Sequence, residues 1–158
     1  MKSMLANAKV LEPLTDKPEY KSRFKALQTR LHELQRACWK EGLPTIVVFE
    51  GWDTAGRAAI INKLTERLEP RGFQLHTVRE PRSFELQLPW MWRFWKCIPA
   101  YGEIAIFDYS WYRQVFVDRV DRGERPAVWK RRCKHVVGFE RALTDDGTRL
   151  VKIFLHIS

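Results

Sequence analysis

Residues 49–61, FEGWDTAGRAAII, have the composition of a loop that binds phosphate. Gly51 follows an apolar run, Gly56 lies five positions later, and the cation Arg57 precedes an apolar segment. Glycines let backbone N–H groups approach an anion, a helix N-terminus adds partial positive charge, and a cation neutralises phosphoryl oxygens. An ordinary tight turn between a strand and a helix is the alternative. The predicted phosphate-binding residues of this loop are Gly51, Thr54, Ala55, Gly56 and Arg57.

The loop departs from the common G-x-x-x-x-G-K-[ST] pattern in its cation and in the residues that follow it. Arg57 stands where lysine is usual, and Ala58 and Ala59 stand where a hydroxyl group would help to hold magnesium. A guanidinium binds phosphate through a flat fork, so it holds the anion but positions it differently from an ammonium. Magnesium then needs another hard oxygen ligand. Asp53 is the candidate inside the loop, with a helix N-cap or loop hydrogen bond as its alternative role.

A second acidic position ends the apolar run of GEIAIFDYSWYR. A carboxylate at the tip of a strand beside a phosphate loop is the Walker B arrangement, which holds magnesium or its water shell. We therefore predict that Asp53 and Asp108 bind Mg²⁺, and a capping role is the alternative for Asp108. Nearby arginines would form a track for a polyanion if they converged, and are otherwise solvated surface charges. They are Arg79, Arg82, Arg93, Arg113 and Arg119.

Strands that alternate with helices must position these side chains. TIVVFEG is an unbroken β-branched and aromatic run, which is typical of a strand buried on both faces of a parallel sheet. The segments FQLHTVRE, GEIAIFDYS and TRLVKIFLHIS indicate three further strands. The alternation predicts an α/β fold, a three-layer αβα sandwich around a mostly parallel sheet. The predicted helices cover residues 18–40, 57–68, 83–99, 111–120 and 126–143. Within residues 83–99, Pro89 predicts a kink or the start of a helix.

The chain divides into a short arm and one domain. Residues 1–16 lack hydrophobic periodicity and predict an irregular arm, whereas residues 17–158 form the α/β domain. Sheets of this class bind ligands beyond the carboxyl ends of their strands. The chain stops on its last predicted strand, so we expect a fragment. The first helix should bury a stripe of apolar residues spaced by three and four positions, namely Phe24, Leu27, Leu31, Leu34 and Cys38.

Composition narrows the class of partner. The 158 residues carry a formal net charge of +9, which favours polyanions such as nucleotides, polyphosphate, nucleic acid or an acidic protein face. Nucleic acid is disfavoured because the basic residues are scattered and no recognition helix or stacking motif accompanies them. The three cysteines are far apart, without metal-binding spacing, and indicate a reduced, cytoplasmic protein. Charges interrupt every apolar stretch before it reaches the length that spans a membrane.

Three segments of the chain resemble the polyphosphate kinase 2 family, including its polyphosphate:AMP phosphotransferase members. The segments are FEGWDTAGRAAIINKLTERLEPRGF, WMWRFWKCIPAYGEIAIFDYSWYRQVFVDRV and VKIFLHIS, and the likeness runs from about residue 20 to the end. The combination of G-x-D-x-A-G, PRG and FD-x-SWY is highly specific. The resemblance implies a P-loop-kinase fold. It also implies transfer of phosphoryl groups between inorganic polyphosphate and a nucleotide (AMP, ADP or ATP) with magnesium.

By position, the resemblance assigns family roles to residues of this chain. It implies that Asp53 and Asp108 bind metal, that Arg119 lies near the phosphate channel and that Arg93 occupies a basic position before it. Arg93 and Arg113 are accordingly added to the phosphate-binding residues. The resulting catalytic residues are Asp53, Arg57, Asp108 and Arg119.

The chain also departs from the family pattern. Arg57 replaces the loop lysine, Tyr109 replaces the arginine that follows the strand-end acid, and the lid after the fourth strand is missing. The resemblance therefore also implies the amino-terminal copy of a tandem-domain member. Two hypotheses follow: a phosphotransferase domain, or a catalytically degenerate module with a structural, dimerisation or phosphate-binding role. Either would work as a homo-oligomer or with a second family domain.

Overall fold

The computed structural model describes residues 16–52, 55–120 and 123–156. In these ranges four strands form one sheet in the order β2-β3-β1-β4, and every pairing is parallel. The predicted α/β fold with a mostly parallel sheet is therefore confirmed, and the predicted arm lies almost wholly outside the described residues. The strands are β1 (Thr45–Gly51), β2 (Phe73–Thr77), β3 (Ile104–Asp108) and β4 (Arg149–Leu155).

Helices follow the strands in the alternation that the sequence predicts, with short 3₁₀ turns at Pro70–Gly72 and Glu85–Gln87. Two of the helices carry proline in the first turn, where its missing N–H needs no partner. None of the helices in the described part of the chain is both long and apolar enough to cross a membrane. The helices are α1 (Lys17–Glu41), α2 (Arg57–Thr65), α3 (Trp92–Trp95), α4 (Trp111–Val120) and α5 (Pro126–Asp145).

Hydrophobic clusters cover both faces of the sheet. On one face, Trp111 of α4 and Phe94 of α3 are fully buried and meet edge to face, with ring centroids 5.9 Å apart. On the other face, Ile61 of α2 packs with Phe49 of β1 and Ile106 of β3. Because β1 and β3 contribute side chains to both clusters, they are the buried centre of a three-layer sandwich.

The prediction that residues 83–99 are helical, with Pro89 near a kink or a helix start, is only partly correct. The structure has only the 3₁₀ turn and the four-residue α3 in this segment. Pro89 explains the interruption, because a proline forces the preceding residue out of the helical region. Leu88 accordingly has extended backbone angles, φ −114° and ψ 159°. Phe94 is still buried in the hydrophobic cluster and Trp90 packs against it, whereas Phe84, Trp92 and Trp95 are more than a third exposed.

The predicted apolar stripe on α1 is only partly correct. Leu31 packs against the cluster on the α2 face, but Leu27 and Leu34 are 67% and 46% exposed. The buried positions of α1 are instead Gln28 and Gln35. Both glutamines have hydrogen-bond partners across the interface, as buried amides require.

Candidate phosphate-binding site

The candidate site lies at the carboxyl ends of the strands. Asp108, the last residue of β3, stands beside Phe49 of β1 on one side and Thr77 of β2 on the other. Gly51, the last residue of β1, stands beside Leu155 of β4. Parallel strands bring these ends to one edge of the sheet, which is the edge where sheets of this class bind ligands. Gly51 and Arg57, the first and last residues of the predicted phosphate loop, therefore lie at the same edge of the sheet as Asp108.

Two glycines of the phosphate loop have backbone angles that favour glycine. Gly51 has φ +131°, and a Cβ there would lie 2.1 Å from the carbonyl oxygen of Leu155. Gly56 has φ +72° immediately before α2, with open space where a Cβ would project. Gly51 thus permits close contact between β1 and β4, and Gly56 turns the chain into α2.

Not all the predicted phosphate ligands of the loop can be assigned. Asp53 and Thr54 lie outside the described residues, so their roles stay predictions. The N–H of Ala55 donates to the carbonyl of Trp52 at 3.0 Å. In this arrangement that N–H closes a turn within the loop and would bind phosphate only if the turn opened.

Arg57 points into the protein. Its Nε donates to Oδ1 of Asp108, and its Nη1 lies 3.5 Å from the carbonyl oxygen of Gly51, which accepts a weak bond. The Arg57 side chain is 9% exposed and that of Asp108 is 17% exposed. The structure therefore brings these two predicted catalytic residues together as an ion pair. A magnesium ion at Asp108 would compete with a buried guanidinium for the same carboxylate.

Tyr109 lies between two arginines. The guanidinium carbon of Arg57 is 3.4 Å from the centre of the Tyr109 ring, and that of Arg113 is 3.8 Å from it. A guanidinium over an aromatic face is attracted by the electron density of the ring. Sequence analysis marked Tyr109 only as a lost arginine and missed this platform, because Arg57 lies 52 residues earlier in the chain and no local pattern connects the two.

Glu50 is a further acidic residue that sequence reasoning missed. Its Oε1 accepts a hydrogen bond from the Ser110 hydroxyl at 2.6 Å, and Ser110 Oγ accepts one from the N–H of Tyr112 at 3.2 Å. Burial raises the pKa of the Glu50 carboxyl above its usual range, although the bond from Ser110 and the charge of Arg57 oppose the rise. A glutamate immediately before the first loop glycine was the available signal.

Two of the predicted arginines make backbone contacts outside the Arg57–Asp108 pair. Arg93 Nη2 donates to the carbonyl of Arg79 at 2.8 Å, and this contact ties the segment after β2 to α3. Arg119 lies about 12 Å along α4 from its first residue, at 1.5 Å per residue. Its Nη1 donates to the carbonyl of Glu124 at 3.0 Å. Phosphate binding by Arg93 and catalysis by Arg119 stay predictions.

Metal ligands do not cluster in the described residues. Within residues 16–52, 55–120 and 123–156, no group of three histidine, cysteine or acidic side chains could hold an ion. A magnesium ion here would take most of its ligands from water and phosphate, which is its common behaviour in proteins.

Comparison with known proteins gives one family match. The sequence profile of the family described as Polyphosphate kinase 2 (PPK2) matches residues 14–158. The polyphosphate:AMP phosphotransferase of Acinetobacter johnsonii is 32% identical over 145 residues, which are 92% of this chain and 30% of that protein. The AMP/ADP-polyphosphate phosphotransferase of Meiothermus ruber is 35% identical over 133 residues, 84% of this chain and 50% of that protein.

Solved structures agree with the sequence match. A polyphosphate kinase 2 from Arthrobacter aurescens superposes with a TM-score of 0.86 at 32% identity, covering 90% of this chain and 52% of that one. A putative polyphosphate kinase 2 from Pseudomonas aeruginosa superposes with a TM-score of 0.89 at 36% identity, covering 98% and 34%. The chain thus has the fold of these proteins and spans 52% and 34% of their respective lengths.

Proposed function

Because the chain belongs to the polyphosphate kinase 2 family, we propose that it is the phosphate-binding domain of a polyphosphate:nucleotide phosphotransferase. The whole protein would move phosphoryl groups between inorganic polyphosphate and AMP or ADP, as the names of its relatives indicate. The observation that carries the proposal is the position of Gly51, the N-terminus of α2 and Asp108 at the carboxyl edge of one parallel sheet. P-loop-kinase character and a cytoplasmic location form part of this proposal.

The chemistry of such a transfer suits the residues at this edge. Phosphoryl transfer needs mainly positioning and neutralisation of charge, without a covalent nucleophile. The N-terminus of α2 supplies partial positive charge, and Arg57 and Arg113 supply full charges beside it. Bound magnesium would neutralise further charge on the phosphate chain. Asp53 and Asp108 are the donors proposed for it, and Asp108 would serve only after Arg57 had moved away.

A degenerate, non-catalytic module is the second candidate. Two observations favour it: the ion pair that engages Asp108, and the tyrosine that stands where the family has an arginine. Such a module would bind phosphate or act through contact with another domain. Exposed apolar side chains support a partner, either a second copy or another family domain. They include Leu27 and Leu34 of α1 and Val151 and Phe154 of β4.

Two assays on the chain test these candidates: binding of polyphosphate, and formation of ATP or ADP from polyphosphate. We expect the wild-type chain to bind polyphosphate and turn over slowly or not at all. The double variant Arg57→Lys/Tyr109→Arg should be at least about tenfold faster, which corresponds to about 1.4 kcal/mol of transition-state stabilisation. Arg71→Lys is the control, because Arg71 is exposed and pairs only with Glu69 among the contacts described.

The outcomes separate the two candidates. Absence of polyphosphate binding in both the wild-type chain and the double variant would contradict the phosphate site itself. Rapid turnover by the unmodified chain would instead exclude the degenerate module.

A further inference from the structure

The carboxylate of Asp108 already has a cation, supplied by the chain. Asp108 ends β3 at the position where the sequence predicts a metal ligand, yet its Oδ1 accepts a hydrogen bond from Nε of Arg57. Both side chains are largely buried, with exposed fractions of 17% and 9%. Screening by water is weak at such a position, so the pair excludes a second cation more strongly than a surface pair would.

Three kinds of contact hold the Arg57 guanidinium in this place. Besides Asp108, it approaches the Gly51 carbonyl through Nη1 and lies over the ring of Tyr109 at 3.4 Å. The other neighbour of that ring is Arg113, at 3.8 Å. The Tyr109 ring therefore stabilises the inward position of Arg57. It also contacts the Arg113 guanidinium, which is a second positive charge at this edge of the sheet.

Backbone hydrogen bonds hold the end of β3, where Asp108 lies, to its neighbours. The carbonyl of Asp108 accepts the N–H of Val78 at 2.9 Å, and the N–H of Tyr109 donates to the carbonyl of Phe49 at 3.0 Å. Tyr109 has φ 61°, a left-handed conformation that is uncommon for a bulky residue. The strand end is thus tied to both neighbouring strands, so the backbone from which the Asp108 side chain projects is fixed next to Arg57.

We propose that Arg57 is a built-in cation that replaces a divalent metal ion at Asp108. Binding of phosphate at this edge then needs no magnesium at Asp108, because Arg57 already neutralises that carboxylate, and the Arg113 guanidinium and the N-terminus of α2 supply the positive charge. Removing the charge of Arg57 exposes Asp108 to metal. The inference rests on the proposed function for the identity of the anion, but its statement about metal stands on the ion pair alone.

Titration with Mn²⁺, read as loss of the free-ion signal in electron paramagnetic resonance, tests the inference. The wild-type chain should take up little Mn²⁺, and the variant Asp108→Asn should match it. Arg57→Gln removes the charge and keeps a hydrogen-bond donor for Asp108, so it should bind Mn²⁺ at least tenfold more tightly. Adding Asp108→Asn to that variant should abolish the gain.

Arg71→Gln is the matched control, because it also removes an arginine from a carboxylate, Glu69, that lies 2.7 Å away on an exposed turn. It should gain no Mn²⁺ affinity. Thermal unfolding with and without Mn²⁺ gives a second readout, since a ligand that binds only the folded state raises Tm.

Two results would overturn the inference. One is uptake of Mn²⁺ by the wild-type chain that Asp108→Asn removes, because Asp108 would then be open to metal. The other is a folded Arg57→Gln variant without any gain. Should that variant fail to fold, the comparison of the wild-type chain with Asp108→Asn decides by itself.

Binding of tripolyphosphate with and without EDTA separates this inference from the proposed function. Equal binding in both conditions supports the inference. Binding that requires magnesium contradicts it and leaves the proposed function standing. Absence of binding in both conditions contradicts the proposed function, and the Mn²⁺ comparison still decides the role of Arg57.

Discussion

At the scale of single residues, Tyr109 combines an electrostatic role with an unusual backbone. Its ring lies between two guanidinium groups while its φ is 61°. A left-handed conformation disfavours residues with a Cβ by about 1–2 kcal/mol, and glycine escapes that cost. The two contributions of Tyr109 can therefore be separated by replacing the side chain with either a methyl group or a hydrogen.

We expect Tyr109→Gly to be more stable than Tyr109→Ala by about 1 kcal/mol. Both variants lose the aromatic platform, so the difference between them reports the backbone conformation alone. The free energy of unfolding in urea measures it. The control compares the wild-type chain with Gly138→Ala in α5. There the variant with alanine should be more stable than the chain with glycine, because alanine favours a helix. Equal stability of the two Tyr109 variants would contradict a left-handed conformation at this residue.

Glu50 makes stability depend on pH in a direction that its environment determines. Burial raises the pKa of its carboxyl in the folded state, so the folded chain binds this proton more readily than the unfolded chain does. The contribution to stability is present at low pH and declines as pH rises from about 4 through the raised value. Glutamine resembles the protonated acid and does not titrate.

We therefore compare the free energy of unfolding of Glu50→Gln with that of the wild-type chain. Relative to wild type, the variant should become more stable as pH rises from about 4 through the raised pKa of Glu50. Urea unfolding at several pH values measures this difference. In Ser110→Ala the bond that lowers the pKa of Glu50 is lost, so the decline should extend to higher pH. A difference between Glu50→Gln and wild type that shrinks with rising pH would show that the pKa is lowered in the folded state.

Sequence reasoning predicted which residues form a phosphate loop after β1 but not the direction of the Arg57 side chain. Gly51, Gly56 and Arg57 follow from spacing, because a turn that admits an anion needs glycine and a nearby cation. The inward position of Arg57 depends on Asp108, which lies 51 residues later in the chain. Local pattern carries no information about such a pair, and the same holds for Glu50 and Ser110.

At the scale of secondary-structure elements, the contact between β1 and β4 depends on one glycine. Gly51 has φ +131°, and a Cβ there would lie 2.1 Å from the Leu155 carbonyl oxygen. We expect Gly51→Ala to lower the free energy of unfolding by at least about 2 kcal/mol, through strain and displacement of β4.

The same substitution in α5 provides the control for Gly51. Gly138 lies in a regular helix, and a methyl group added to it would have nothing within 4 Å. Gly138→Ala should therefore raise the free energy of unfolding by about 0.5–1 kcal/mol. Urea unfolding compares the two variants. Loss of stability smaller than about 1 kcal/mol in Gly51→Ala would contradict the close contact of the two strands.

The sequence predicted best the strands that are buried on both faces. β1 and β3 are buried on both faces, and an unbroken apolar run is the direct consequence. α1 was harder, because its buried face uses Gln28 and Gln35 and leaves Leu27 exposed. Gln35 donates to the Glu69 carbonyl and accepts the Glu69 N–H, so it docks the helix through polar bonds. Hydrophobic periodicity cannot reveal an interface of that kind.

At the scale of the whole molecule, exposed apolar surface and net charge indicate different kinds of partner. Exposed apolar side chains lie on both α1 and β4. Such side chains are the kind that contact a protein partner, which is the second candidate function proposed above. The charge of +9 instead supports a polyanion, and its effect is open to a direct measurement.

Binding of polyphosphate should weaken steeply as salt rises, because a polyanion that meets several cations releases condensed counterions. With three or more phosphates neutralised, we expect affinity to fall by roughly tenfold or more between about 50 and 200 mM salt. AMP carries far fewer charges, so its affinity should change much less over the same range. Calorimetric titration of both ligands measures the two slopes. Equal slopes would mean that polyphosphate contacts no more cations than a mononucleotide does, and the net charge would then be irrelevant to its binding.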